Sequence, residues 1–176
     1  MRAHRRMLRS GTIGAGLALM LVASSASTAG AEGGLRRDPA GDAGTAIDVR
    51  LAGHRDTTDR ITYGIRAAAP IACCQDSVSW ALDLNADGFF SDAFINFDGN
   101  NATWACTDPE NGVVLQFSQP RPKILVIAVP RAVFDACTHG ATYSYVVSTF
   151  NSVTGDQDFV PNDGTAGDGI QHTITT

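Results

Sequence analysis

The chain has 176 residues, 44% of them hydrophobic, and its 13 Lys+Arg against 18 Asp+Glu give a formal charge of −5. That length holds one ordinary domain rather than two of full size. With a single lysine, Lys123, and no cation cluster beyond the first nine residues, the chain lacks the patch that phosphate recognition needs, which argues against a nucleic-acid partner.

Residues 1–31 read as a secretory signal peptide. Arg2, Arg5, Arg6 and Arg9 precede an apolar stretch at 11–23, and a tail of small residues ends in Ala29-Gly30-Ala31, with cleavage expected before Glu32. The stretch is shorter than the ~20 residues of a membrane-spanning helix, so the expected location is extracellular, with no membrane contact after cleavage. The Arg5-Arg6 pair resembles a twin-arginine export signal, but His4 stands where Ser or Thr is usual, and both export routes stay open. Taking 31 residues from 176 leaves 145. Taking four arginines leaves 9 cations against 18 acids, a charge of −9. All three methionines leave with the signal, which excludes a Met-ligated haem or copper site.

Residues 32–46 are rich in Gly, Ala and Asp and are expected to be a disordered leader. From 47 to 176 the pattern has period 2. Ile47, Val49 and Leu51 alternate with polar residues, as do Ile61, Tyr63 and Ile65, and then Val78, Trp80, Leu82 and Leu84. Further strands are expected at 93–97, 102–106, 113–117, 123–129, 142–150 and 170–175, separated by turn signals at 98–101, 108–112 and 119–122. The almost wholly apolar run 124–129 suits a central strand, and residues 130–136 are the one expected helical turn. Eight or nine short strands so punctuated indicate an all-β fold, an antiparallel β-sandwich of jelly-roll or Ig-like type. Nothing repeats at a fixed period, which excludes a solenoid or propeller.

The strand ending near Leu82 runs into Asp83-Leu84-Asn85-Ala86-Asp87-Gly88. Oxygens at positions 1, 3 and 5 before a glycine suit a hard cation. The expected Ca2+ ligands are Asp83, Asn85, Asp87, the Phe89 carbonyl and Asp92. Phe94 stands where an EF-hand has its bidentate Glu, and Asp, Asn and Gly are equally the residues of a tight Asx turn. A second acidic segment, Asp156, Asp158, Asp163 and Asp168, is read as a solvated loop, with a weaker cation site as the alternative.

Cys73, Cys74, Cys106 and Cys137 in an exported chain read as two disulfides. Because a vicinal bridge is strained, one of Cys73 and Cys74 is expected to join Cys106 and the other Cys137. His54, His139 and His172 show no metal-ligand spacing and are read as incidental surface residues, and no nucleophile elbow or phosphate loop is present, so no enzymatic activity is expected. Trp80 is in phase with Val78 and Leu82 and belongs in the core. Trp104, Tyr143 and Tyr145 are the candidate ligand-binding platform, since aromatic rings stack on sugar faces.

The W-x-L-D strand entering an acidic loop, Ile127-Ala128-Val129-Pro130, the aromatic Tyr143-Ser144-Tyr145 and the closing segment 158–163 resemble the secreted β-sandwiches of the family 9 carbohydrate-binding and DOMON type. The resemblance implies a sandwich that binds sugar. The leading expectation is a secreted, non-catalytic, calcium-stabilised sandwich that binds extracellular glycan. The alternative is a secreted protease or hydrolase inhibitor presenting a loop braced at Cys73-Cys74, whose partner is a secreted protein. A degradative enzyme using aspartates comes third.

Overall fold

The computed structural model describes residues 34–71, 75–106, 112–137, 142–161 and 169–174. The expected signal peptide, Cys73, Cys74 and His139 lie outside them, as do Asp163 and Asp168. Among the described residues, eleven antiparallel strands and one short helix make an all-β fold. They are β1 (Leu35–Arg37), β2 (Val49–Asp56), β3 (Arg60–Ala67), β4 (Asp76–Asp83), β5 (Ala93–Phe97), β6 (Ala102–Cys106), β7 (Val113–Arg121), β8 (Ile124–Pro130), α1 (Arg131–Asp135), β9 (Thr142–Asn151), β10 (Gln157–Val160) and β11 (Ile170–Thr173). No described helix is long and apolar enough to cross a membrane.

The strands form one sheet in the order β1-β2-β3-β8-β7-β6-β5-β4-β9-β10, with β11 also on β9. The sheet folds over at β7. Residues Val113, Val114 and Leu115 pair with β6, whereas Gln116, Phe117 and Ser118 pair with β8. Half A (β1, β2, β3, β8 and the end of β7) thus faces half B (the start of β7, then β6, β5, β4, β9, β10 and β11), and the whole is nearly a barrel.

Alternation places the core. On β4, Val78, Trp80 and Leu82 point in and are fully buried, while Ser77, Ser79 and Ala81 point out. On β3, Ile61, Tyr63 and Ile65 face them. β8 lies between β3 and β7, and its apolar run is buried on both sides, as a central strand requires. α1 lays Phe134 over one end of the core, 5.5 Å from the Trp104 ring and 5.0 Å from that of Tyr143.

Two strands depart from expectation. Leu35–Arg37, inside the segment read as a disordered leader, pairs with Leu51 to Gly53 of β2. Gln157–Val160, read as solvated loop, pairs with β9. These strands lie at the two ends of the sheet, and side chains rather than a strand ladder join those ends. Asp158 Oδ2 accepts the Val49 amide (2.8 Å), Thr149 Oγ1 donates to the Ile47 carbonyl (2.8 Å), and Asp156 Oδ2 accepts the amide (2.9 Å) and hydroxyl (2.6 Å) of Thr45. Gly44 makes the last contact possible: its φ is +59°, and a Cβ there would lie 2.8 Å from the Asp156 carboxyl carbon.

Candidate functional site

The loop expected to hold calcium closes on itself. Asp83 is buried, and its two oxygens accept the amides of Asp87 (3.2 Å) and Gly88 (3.0 Å). Asn85 Oδ1 accepts the Asp87 amide, Asp87 Oδ1 the Phe89 amide, and Asp92 Oδ2 the amides of Leu84 and Asn85, all at 2.8–3.2 Å. Ala86 (φ 60°) and Gly88 (φ 87°) take the left-handed conformation that doubles the chain back. This is a series of Asx turns in which the oxygens serve the loop's own amides. The carboxylates of Asp83, Asp87 and Asp92 do not converge to within 4.8 Å of one another, whereas among the described residues Asp38, Asp42 and Asp158 do.

The expected aromatic platform is interior. Trp104, Tyr143 and Tyr145 are at most 2% exposed, so they cannot stack on an external sugar. Each shares the phase of inward neighbours, Trp104 that of Ala102 and the two tyrosines that of Val147. Trp104 Nε1 donates to Cys137 Sγ (3.1 Å), and the hydroxyls of Tyr63 and Tyr143 bond to one another. Burial holds the phenols of Tyr63, Tyr143 and Tyr145 above their ordinary range.

The disulfide pairing also differs from expectation. Cys106, at the end of β6, is bonded to Cys137, just after α1, so neither is available to Cys73 or Cys74. The bridge pins α1 to the sheet.

His54 and His172, read as surface residues, lie in the core at 7% and 2% exposure, their rings 4.0 Å apart. His54 Nδ1 is 2.9 Å from the Tyr145 hydroxyl, and its Nε2 accepts the Gly34 amide (3.2 Å). His172 Nε2 is 3.4 Å from Asp56 Oδ2, and Asp56 Oδ1 accepts a bond from the Arg131 guanidinium (2.6 Å). Burial, and then His172, push His54 down to about 3 against the opposing pull of Asp56, so the imidazole is neutral at pH 7. This chain from Arg131 through Asp56 and the histidines to Tyr145 joins α1, β2, β11 and β9 inside the core. A signal for it exists in the sequence: His172 lies in phase between Ile170 and Ile174, and His54 in phase between Ala52 and Asp56.

With the aromatic and imidazole groups inside, the outward residues define the surface. Half A presents Arg55, Arg60, Arg66 and Arg121. Half B differs. A single row across six strands, Phe159, Ser148, Ser79, Asn96, Thr103 and Val114, runs in register for about 24 Å. Beside it lie exposed Phe150 and half-buried Phe94. Among the described residues, the outward positions of β4, β5, β6, β9, β10 and β11 carry no charge except at Asp83, whose carboxylate is turned into its own loop. No protein-family model matches the chain and no curated protein matches it, so the likeness to the family 9 carbohydrate-binding and DOMON domains stands on the short motifs that carry it.

Proposed function

We propose that this protein is an exported, non-catalytic module that holds a neutral extracellular polysaccharide against the outer face of half B. The uncharged row from Phe159 to Val114 carries the reading. In a chain whose mature part has a charge of −9, an entire face without exposed charge suits a partner that is itself neutral. Its make-up suits one that is both hydroxylated and apolar. Ser79, Ser148 and Thr103 offer hydroxyls and Asn96 an amide, while Phe94, Phe150 and Phe159 offer ring surface for the C–H faces of sugars. The non-catalytic part of the reading rests on the sequence, which carries no nucleophile elbow or phosphate loop. Export rests on the signal-like residues 1–31.

Retention on insoluble neutral polysaccharides such as cellulose, chitin and xylan tests this reading. Binding that persists in high salt is expected, because no ion pairs are formed. Ser148→Arg, in the middle of the row, should weaken retention at least tenfold, about 1.4 kcal/mol, at an unchanged melting temperature. Arg66→Ser, on the other face, should leave retention intact. Failure to bind any neutral polysaccharide, or equal binding by Ser148→Arg, overturns the proposal. So does a dimer in solution that Ser148→Arg dissociates, which would make a second copy the occupant of the face.

A further inference from the structure

The two ends of the sheet meet at a cluster of acids. Asp38 follows β1, Asp42 lies in the turn after it, and Asp158 belongs to β10, yet each presents a carboxylate oxygen within 4.8 Å of the other two. A surface hollow of about 280 Å³, lined by Asp42, Gln157, Asp158 and Phe159, gives access from solvent. Asp38 is only 6% exposed, and its Oδ2 is buried with no hydrogen-bond partner among the described residues. Asp48, on the segment leading into β2, shows the same deficit: one oxygen accepts the Gly41 amide (3.0 Å), while Oδ1 is buried without a partner.

Native interiors rarely leave carboxylate oxygens unserved, because each loses its hydration without compensation. Arg50 is the nearby cation, and it lowers Asp38 somewhat, but its Nε is itself buried without a partner. Burial first, and then the charges of Asp158, Asp42 and Asp48, push Asp38 up to about 7. Several carboxylates of one sign facing one another are short of positive charge, and a divalent ion supplies it.

We propose that Asp38, Asp42 and Asp158 bind a divalent cation, with Asp48 beside them, and that the ion clamps the seam between the N-terminal arm and β10. The donors are all hard oxygens, two from the stretch after β1 and one from β10, a set suited to calcium rather than to zinc, which prefers nitrogen and sulfur. The site is distinct from the loop 83–92, whose oxygens already accept that loop's amides. It is independent of the polysaccharide reading, since none of its three carboxylates belongs to the uncharged row.

Thermal melts of the full protein after EDTA treatment, with calcium, magnesium or manganese restored, test the site. With the ~10⁻⁴ M affinity usual for extracellular calcium modules, about 2 mM calcium should raise the melting temperature by roughly 5 °C. Amide exchange should slow across residues 38–48. Asp42→Asn changes an exposed residue with little risk to folding, and it should weaken calcium at least tenfold by titration calorimetry. Asp87→Asn, in the other loop, should leave the response unchanged. Absence of any shift with all three ions overturns the proposal. A calcium response that survives Asp42→Asn and disappears in Asp87→Asn also overturns it, by moving the ion to residues 83–92.

Discussion

The two halves of the sheet are built alike on the inside and unlike on the outside. Inward positions of both carry large apolar or aromatic side chains, among them Ile61, Tyr63 and Ile65 in half A and Trp80, Leu82 and Tyr145 in half B. Outward, half A is studded with Arg55, Arg60, Arg66 and Arg121, whereas half B offers serine, threonine, asparagine, glutamine and phenylalanine. Packing constrains the inside equally in both halves and leaves the outside nearly free. A difference confined to the unconstrained surface therefore points to what each face meets.

Substitutions on one strand separate the two kinds of position most strongly. Trp80→Ala should cost about 3–5 kcal/mol through the cavity it leaves. Ser79→Ala, at its outward neighbour, whose hydroxyl donates to Asn96 Oδ1, should cost no more than about 1.5 kcal/mol. Urea denaturation of both variants measures this, and a large loss at Ser79 would mean that the outer face of half B serves the fold rather than a partner. The next largest effect should come from the bridge between Cys106 and Cys137, which closes a segment of 31 residues. Replacing both cysteines by serine should cost about 3–4 kcal/mol in the same assay, while binding to the outer face of half B persists below the unfolding transition.

The smallest effect concerns the buried imidazoles, where a polar inward surface of half A meets β9 and β11. His54 is held near 3, against an ordinary 6.5. Between those values the unfolded chain takes up a proton that the folded chain refuses, so this group's contribution to stability falls as pH drops from 6.5 towards 3. The slope is at most about 1.4 kcal/mol per pH unit. The groups facing His54 are His172 on β11, Asp56 on β2 and Tyr145 on β9. Denaturation curves at pH 7 and 4.5 should converge more closely in His54→Gln than in the parent. The difference between the two proteins cancels the carboxylates common to both.

The strands were legible because period 2 is a direct image of one buried face. All nine expected segments overlap strands of the structure, and the helical turn at 130–136 contains α1. β1 and β10 were not legible. Each is only three or four residues long, and the hydrogen bonds that order them come from β2 and β9 rather than from any pattern of their own. The phase that put Trp80 inside applies equally to Trp104, Tyr143 and Tyr145, so their burial was readable in principle. It was obscured because large rings with polar atoms suit either a core or a sugar face. The Asp83 loop carries the same ambiguity in residue types, since Asx turns and calcium loops use the same oxygens. The pairing of Cys106 with Cys137 and the meeting of Asp38 with Asp158 depend on the closed sheet, and spacing along the chain contains neither.

The stitched seam bears on how the molecule is made. Thr45 and Asp156 are 111 residues apart, and Val49 and Asp158 are 109 apart. A chain synthesised from its N-terminus exposes the arm long before its partner exists, and bringing such distant segments together carries a loop-closure cost that slows folding. β1 can pair with β2 as soon as both exist, but the stretch from Thr45 to Val49 must wait for β10 before its side-chain seam can close. The seam at Thr45 and Val49 is thus among the last contacts to form, and a chain cut short before Gln157 would leave the outer edge of β9 bare and that seam open.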